Sequence, residues 1–158
     1  MPQGEALIFA SLNINAIILK MDDKKHKILI VDDDTFLLEM YATKFKEEGF
    51  DVEIAQGGKE ALAKIKSGLY PEVMLLDVVM PGMDGFETLT IIRKENLIPD
   101  SKIIILSNLG QKENIDKGKE LKVADYVVKA YFTPSEVVKK ANEALKKAKA
   151  QSLDKIKI

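Results

Sequence analysis

Short apolar runs in this 158-residue chain are followed at once by polar side chains of a kind that could do chemistry. In chain order these are Asp32-Asp33-Asp34, Asp77, Ser107 and Lys129. Carboxylates pressed together repel one another and raise one another's pKa unless a cation joins them. All-oxygen ligation with free positions for water and phosphate is the environment that Mg²⁺ prefers. The pattern therefore favours a magnesium site.

Five repeats of a strand pattern and a helical pattern position these side chains. The predicted strands are rich in β-branched and large apolar residues and comprise Ile28–Val31, Val52–Ala55, Val73–Leu76, Ile103–Leu106 and Tyr126–Val128. Near-continuous apolarity indicates strands buried on both faces. Helical periodicity follows each strand: before Gly49, over about 58–66, after Asp84, over about 112–121, and from Thr133-Pro134 onward.

Successive βα units predict an α/β fold, a doubly wound five-stranded parallel sheet with strand order 2-1-3-4-5. Strands one, three, four and five are then neighbours about 4.8 Å apart, with the ligand crevice at their carboxyl ends. The aspartates after strand one should face Asp77, with Ser107 beside it. Lys129 starts about 10 Å from Asp77, a gap that its side chain can largely bridge.

Each residue alone has an ordinary structural explanation. An aspartate after a strand is often a turn former or a helix cap, which we favour for Asp34. A single Lys129 would be a surface lysine. Together, however, four separate strand ends bring carboxylates, a hydroxyl and an ammonium to one crevice. Such an arrangement is improbable without a shared chemical role.

Composition narrows the class of protein. With 24 basic and 25 acidic residues the net charge is −1, so no global positive field favours direct nucleic-acid binding. The chain has no cysteine, which fits a reducing cytosol, and we expect a cytoplasmic protein. Its length and 46% hydrophobic residues suit one globular domain.

The predicted domain covers residues 27–147, between an N-terminal extension at 1–26 and a tail at 148–158. The extension contains an apolar arm, Ala6–Leu19, which is too short to span a bilayer and lacks the basic start of a secretory signal. We interpret it as an extension ahead of a natural start near Met21, or as an arm that packs on the domain or on a second copy. The tail is too short for an output domain.

Four motifs resemble the response-regulator receiver family over about residues 27–147. They are Ile28-Leu29-Ile30-Val31-Asp32-Asp33-Asp34, then Leu75-Leu76-Asp77-Val78-Val79-Met80-Pro81-Gly82-Met83-Asp84-Gly85, then Ile105-Leu106-Ser107, and then Tyr126-Val127-Val128-Lys129. The resemblance implies a flavodoxin-like receiver fold and a stand-alone response regulator in two-component signalling, a phosphoacceptor domain rather than an enzyme.

The resemblance also implies a role for each site residue. Asp77 would be the phosphoacceptor, and Asp33, Asp77 and the backbone carbonyl of Val79 would ligate Mg²⁺, with Asp32 holding the metal through water. Ser107 and Lys129 would grip the phosphoryl oxygens. Phosphorylation would draw Ser107 toward the new charge, and Tyr126 would enter the space that it leaves.

The implied partners are a histidine kinase or phosphotransfer protein and a downstream target, with a second copy of the chain as a further candidate. Output would pass through the fourth helix, fifth strand and fifth helix. The chain's one histidine, His26, lies among lysines before the first strand, and we expect it to be solvated with no neighbour to orient it.

Three positions depart from the family pattern. Ala130 replaces the usual proline, so the loop after Lys129 should differ, because a cis peptide before alanine costs about 3 kcal/mol. Asn108 replaces a small residue, which should alter access to the phosphoryl group. Lys122 stands where glycine is common, so the fourth helix should end differently, since a left-handed lysine costs about 1 kcal/mol.

Two rival readings remain open. A phosphatase resembling the haloacid dehalogenase-like group would use Asp32 as its nucleophile and Asp34 as its second acid. Phe36 stands where that motif needs threonine or valine, and no later acidic pair follows. The second rival is a receiver-shaped interaction module that takes no phosphate.

Overall fold

Five strands and five helices alternate along residues 24–156 of the computed structural model, which also describes the isolated positions 13, 14 and 16. The elements, in chain order, are β1 Lys27–Val31, α1 Thr35–Glu47, β2 Asp51–Ala55, α2 Gly58–Lys66, β3 Val73–Leu76, α3 Gly85–Lys94, β4 Lys102–Ser107, α4 Lys112–Glu120, β5 Asp125–Val128, a 3₁₀ turn Lys129–Tyr131, and α5 Pro134–Ile156. The strands are parallel and lie in the order β2-β1-β3-β4-β5. The predicted fold is confirmed.

The two faces of the sheet carry separate halves of the core. In β1, Ile28 and Ile30 face α1 and α5, whereas Leu29 and Val31 face α2 and α3. All four side chains are at most 1% exposed. Strand side chains alternate between faces, so burial on both sides requires the unbroken apolar sequence from which the strands were predicted.

Capping side chains set where three helices begin. Asp34 accepts the backbone N–H groups of Phe36 and Leu37 at 3.0 and 3.1 Å and caps α1, as predicted. Asp84 forms a capping box with Glu87 at the start of α3. At α5, the Thr133 hydroxyl accepts the N–H of Glu136 at 3.3 Å, and the Glu136 carboxylate accepts the N–H of Thr133 at 2.7 Å.

A left-handed residue follows each of the first four helices. These residues are Gly49, Gly68, Asn96 and Lys122, with φ angles of 87°, 111°, 51° and 58°. Glycine takes this conformation without strain and asparagine tolerates it, but lysine carries a β-carbon that disfavours it. Three of these helix ends therefore have residues suited to the conformation, and α4 does not.

The expectation that α4 ends differently because it lacks glycine is therefore wrong. Lys122 takes the left-handed conformation, and its N–H donates to the carbonyl of Lys119 at 3.0 Å. The guanidinium of Arg93 in α3 donates to the carbonyls of Leu121 and Lys122 at 2.9 and 3.1 Å. These charge-assisted bonds come from a distant part of the sequence and stabilise a turn that the local residues disfavour.

The last helix extends past the predicted domain boundary at residue 147. It continues to Ile156, so most of the segment assigned as a tail is helical. At the other end of the chain, the predicted arm Ala6–Leu19 lies outside the described residues except at three isolated positions. Within the described part of the chain, no helix combines the length and apolarity needed to cross a membrane.

We predict that Lys122→Gly stabilises the protein. Glycine removes the left-handed strain but increases the entropy of the unfolded chain, so we expect a net gain of about 0.5–1 kcal/mol in the free energy of unfolding. Urea denaturation measures this. The matched control is Lys119→Gly, an exposed position inside α4, which should lose about 1 kcal/mol. Equal losses from both substitutions would show that Lys122 is unstrained.

Candidate functional site

The carboxyl ends of four strands deliver the predicted side chains to one edge of the sheet. Val31 of β1 pairs with Leu76 of β3, so Asp32 and Asp77, which come next, are neighbours. The N–H of Asp77 donates to the carbonyl of Val31 at 3.0 Å, which extends the ladder into the site. Ser107 ends β4, and Lys129 begins the 3₁₀ turn after β5.

The start of α3 lies against the backbone that carries Asp77. A β-carbon on Gly85 would lie 2.1 Å from the carbonyl oxygen of Asp77 and 2.8 Å from the Cα of Val78. Both neighbours are backbone atoms and cannot move aside. Glycine at this position therefore lets the loop after β3 turn tightly into α3 and fixes the place of Asp77.

An ammonium group bridges two aspartates in the site. The Nζ of Lys129 lies 2.6 Å from Oδ2 of Asp32 and 3.5 Å from Oδ2 of Asp77. All three side chains are at most 10% exposed. The Lys129 side chain thus reaches Asp77 across β4, as the sequence predicted, and it also contacts Asp32, which follows β1.

Three carboxylates form a group that could hold a cation. One oxygen from each of Asp32, Asp33 and Asp77 lies within 4.8 Å of the others. Two ligands of one Mg²⁺ lie at most about 4.2 Å apart, so the group needs only a small contraction. With Lys129 included, the formal charge is −2, which a divalent cation would neutralise. Asp33 is exposed, so the site opens to solvent. The donor set fits a hard divalent cation.

Burial raises the pKa of Asp77 above its ordinary value of 3.8. The positive charge of Lys129 opposes that effect, and the negative charge of Asp32 adds to it. Hydrogen bonds from the N–H of Val79, at 3.3 Å, and from the Ser107 hydroxyl lower the pKa. Burial has the largest effect, so Asp77 carries its charge in the metal-free protein at a cost.

Lys129 is held in its charged form. Burial alone would lower its pKa, but the hydrogen bond to Asp32 and the charges of Asp77 and Asp32 outweigh burial and raise it. The ammonium is therefore a permanent positive charge beside Asp77 at neutral pH.

A chain of hydrogen bonds connects Ser107 to Tyr126. The hydroxyl of Ser107, which is fully buried, accepts the N–H of Leu109 at 3.3 Å. The hydroxyl of Tyr126 donates to the carbonyl of Leu109 at 2.5 Å. Burial, and then the negative charge of Asp77, raise the pKa of Tyr126. One residue, Leu109, thus links the two side chains that the sequence assigned to a switch.

Sequence reasoning missed one aromatic residue beside the site. Tyr41 lies in α1 and is buried. Burial raises the pKa of its hydroxyl, which also senses the charges of Lys129 and Asp32. A tyrosine among aliphatic residues on an inner face was the available signal, since a buried hydroxyl usually requires a polar neighbour.

The expectation about His26 is partly wrong. The ring is exposed, as predicted, but its Nδ1 lies 2.6 Å from Oε2 of Glu72, which orients it. The partner comes from the segment before β3, 46 residues away. His26 precedes β1 and therefore lies at the opposite edge of the sheet from Asp77.

The loop after Lys129 begins with a trans peptide, in line with the cost of a cis bond before alanine. Within residues 24–156 no peptide bond is cis, so the peptide between Lys129 and Ala130 is trans and lies in the 3₁₀ turn. Asn108 is exposed after Ser107, and its effect on access to a phosphoryl group stays a prediction.

A family model described as the response regulator receiver domain matches residues 28–142. The chain belongs to the response regulator receiver family. Receiver domains act in two-component signalling, and aspartyl phosphorylation and magnesium binding are typical of them.

Two curated relatives match most of this chain but only about half of their own length. The chain is 36% identical over 128 residues to the probable transcriptional regulator ycf27 of Pyropia yezoensis, covering 81% of this chain and 51% of that protein. It is 32% identical over 127 residues to the DNA-binding response regulator MtrA of Mycobacterium tuberculosis, covering 80% and 54%. The chain therefore spans about half the length of these relatives.

Solved receiver structures agree with the fold. A CheY-like receiver domain protein from Methanospirillum hungatei matches with a TM-score of 0.74 and 30% identity, covering 81% of this chain and 99% of that one. The chemotaxis protein CheY4 of Vibrio cholerae matches with a TM-score of 0.71 and 30% identity, covering 77% and 99%.

We predict that Asp77→Asn stabilises the metal-free protein at neutral pH. Folding raises the pKa of Asp77, so its contribution to stability is fully present below pH 3.8 and is lost as the pH rises through the folded-state pKa. Asparagine removes the buried charge and should recover that loss. Urea denaturation in chelator at several pH values should show a gain near pH 7 that disappears toward pH 3.8.

The charge-matched control is Asp34→Asn, because asparagine caps a helix as well as aspartate does. It should show no comparable gain at pH 7. Equal stability of Asp77→Asn and the parent at pH 7 would mean that the surrounding charges already compensate the buried carboxylate fully.

Proposed function

We propose that this receiver domain takes a phosphoryl group on Asp77 from a histidine kinase or phosphotransfer protein, with Mg²⁺ bound beside it. The observation that carries the proposal is the surroundings of Asp77. It is a buried carboxylate 3.5 Å from the Lys129 ammonium and beside two further aspartates. This arrangement combines a nucleophile with charges that compensate the incoming group.

The chemistry needs compensation of negative charge on both reactants. An Asp77 carboxylate oxygen bonds to phosphorus while the bond from phosphorus to the donor's nitrogen breaks. Lys129 lies where it can pair with a phosphoryl oxygen, and Ser107 ends the adjacent strand with its hydroxyl buried. These two side chains stabilise the charge on the equatorial oxygens.

Three groups would hold the metal directly: the carboxylates of Asp33 and Asp77 and the backbone carbonyl of Val79. Asp32 would act through water, which fits its 2.6 Å contact with Lys129, since that contact already occupies one of its oxygens. When bound, Mg²⁺ neutralises charge on the carboxylates and the transferred group.

The proposed switch is the hydrogen-bond chain through Leu109. Phosphorylation adds roughly 1.5 to 2 negative charges and attracts the Ser107 hydroxyl. Ser107 then releases the N–H of Leu109, the residue whose carbonyl accepts the Tyr126 hydroxyl, and Tyr126 can move into the space that the serine leaves. The changed surface comprises α4, β5 and α5.

We propose output by protein contact, without direct binding to nucleic acid. This chain covers 99% of each of the two CheY-like structures, so each of those solved chains consists of one receiver domain. "DNA-binding" describes MtrA, whose length is about twice the matched segment. The balanced charge of this chain, −1, gives no global attraction to a polyanion. A second copy of the chain is a candidate partner.

The phosphatase alternative lacks its second acid. Asp34 accepts two N–H groups at the start of α1 and therefore serves as a cap. Phe36, at the position where that motif needs threonine or valine, is 75% exposed. The group formed by Asp32, Asp33 and Asp77 argues against the interaction module that takes no phosphate, because such a module has no need to keep three carboxylates together.

We predict one acyl phosphate per chain after treatment with acetyl phosphate and Mg²⁺. Mass spectrometry should detect an adduct that is stable to acid and labile to base and hydroxylamine, and it should map to Asp77. Asp77→Asn should abolish the adduct, because the nucleophilic oxygen is lost. Lys129→Ala should retain metal binding but fail to switch.

The control Asp34→Asn should remain phosphorylated, since the cap is kept. Phosphate trapped on Asp32 would instead establish the phosphatase-like reading. A folded, Mg²⁺-loaded protein that no donor phosphorylates would establish the interaction module.

We also predict how metal affinity depends on the charges in the site. Asp33→Asn and Asp77→Asn should each weaken Mg²⁺ binding by about tenfold or more, because each removes an anionic ligand. Lys129→Met should strengthen binding, because it leaves Asp32 and Asp77 without their ammonium partner. Isothermal titration calorimetry measures all three, with Asp34→Asn as the unaffected control. An unchanged affinity in both aspartate variants would place the metal elsewhere.

A further inference from the structure

The fourth helix, α4, has little apolar contact with the domain. Gly118 is its only buried residue, and a glycine has no side chain to anchor it. A helix of nine residues is marginal on its own in water. The position of α4 therefore depends on a few specific contacts.

Those contacts are concentrated in the second half of the helix. The ammonium of Lys117 lies 4.6 Å from the ring centroid of Phe86 in α3. The guanidinium of Arg93, also in α3, donates to the carbonyls of Leu121 and Lys122. Two cationic contacts therefore hold the C-terminal end of α4 to α3.

The N-terminal end of α4 has no equivalent. Gln111 occupies the cap position without a side-chain hydrogen bond to the helix backbone. Its side chain accepts only from Asn114, one turn into the same helix, at 3.1 Å. In the loop before it, Asn108 and Gly110 are exposed. Neither Gln111 nor Asn114 makes a side-chain hydrogen bond to another element, and the contact nearest to this end of the helix is the neutral bond between Leu109 and Tyr126.

Tyr126 connects the middle of α4 to the site. A β-carbon on Gly118 would lie 3.1 Å from Cδ2 of Tyr126, so the glycine lets the ring lie against the helix. The hydroxyl of the same tyrosine bonds to Leu109 in the loop before α4. A change at Ser107 therefore reaches the loop and the helix through one side chain.

We propose that Arg93 is a positioning residue of the phosphorylation switch: by fixing the C-terminal end of α4 to α3, it confines the movement of α4 to the N-terminal end and the 108–111 loop. The inference rests on the proposed phosphorylation of Asp77. Arg93 lies at the end of α3, the helix that starts at the phosphoacceptor loop, so it fixes α4 to the element nearest the site.

Amide hydrogen exchange by NMR on the full chain tests this, with and without Mg²⁺ and acetyl phosphate. Two groups of amides are compared. One comprises residues 114–116, and the other comprises residues 121–123, whose N–H groups donate to carbonyls in the last turn of α4. In the unmodified protein, Arg93→Gln should speed exchange at 121–123 by about tenfold, the effect of about one lost charge-assisted bond, and leave 114–116 unchanged.

After phosphorylation, the pattern of amide exchange should differ between the parent and the variants. In the parent, exchange should rise only at 114–116, whereas in Arg93→Gln it should rise at both groups. Arg93→Lys, with a single donor group, should give an intermediate result. The control is Lys94→Gln, the exposed neighbour of Arg93 at the end of α3, which should behave as the parent does.

A double variant separates positioning from simple stability. Lys122→Gly in the Arg93→Gln background relieves the left-handed turn and should recover stability to urea, but the phosphorylation response should still reach 121–123. If the response returned to 114–116 alone, Arg93 would be only a stabiliser of the turn, and the proposal would be overturned.

Unchanged exchange at 121–123 in unmodified Arg93→Gln would also overturn it. If mass spectrometry found no phosphoryl adduct on the parent, the proposed function would fail instead. The measurements on unmodified protein would then still decide whether Arg93 holds α4.

Discussion

The contact between the Lys129 ammonium and the carboxylates of Asp32 and Asp77 is the interaction on which the rest of the site depends. Leaving a buried charge unpaired costs several kcal/mol, on the order of 3–5. Two carboxylates at adjacent strand ends therefore need this cation, and the cation needs them to stay charged. The pairing fixes where β5 must end relative to β1 and β3, which the parallel ladder through β4 provides.

The sheet carries this constraint because its core is apolar on both faces. When a strand buried on both sides shifts by one residue, its side chains exchange faces and a polar residue from one strand end is drawn into the core. The strand ends are therefore held in register, and the side chains that directly follow them are held in fixed positions relative to one another. Gly85 is a second constraint on the site, since any larger residue would push α3 away from the backbone of Asp77.

The sequence was sufficient to predict features that depend on neighbouring residues. Each strand was located to within one residue, and Asp32, Asp33, Asp77, Ser107 and Lys129 were assigned to one edge because each adjoins a strand end. Features that depend on distant partners were not predicted. Arg93 supports the left-handed Lys122, and Glu72 orients His26, across 29 and 46 residues. Periodicity contains no information about such pairs, nor about the influence of the Lys129 and Asp32 charges on the pKa of Tyr41.

Relative bond strengths explain why this arrangement can switch at all. The bonds that join Ser107, Leu109 and Tyr126 are between neutral groups, each worth about 0.5–1.5 kcal/mol net. A hydrogen bond from Ser107 to a charged phosphoryl oxygen is roughly twice as strong. The Ser107 hydroxyl already donates to the Asp77 carboxylate, so phosphorylation replaces one charge-assisted bond with another, and the net loss is only the weak bond from the N–H of Leu109. The charge-assisted bonds that Arg93 donates lie outside this exchange and stay in place. A switch built this way changes the weak contacts and keeps the strong ones.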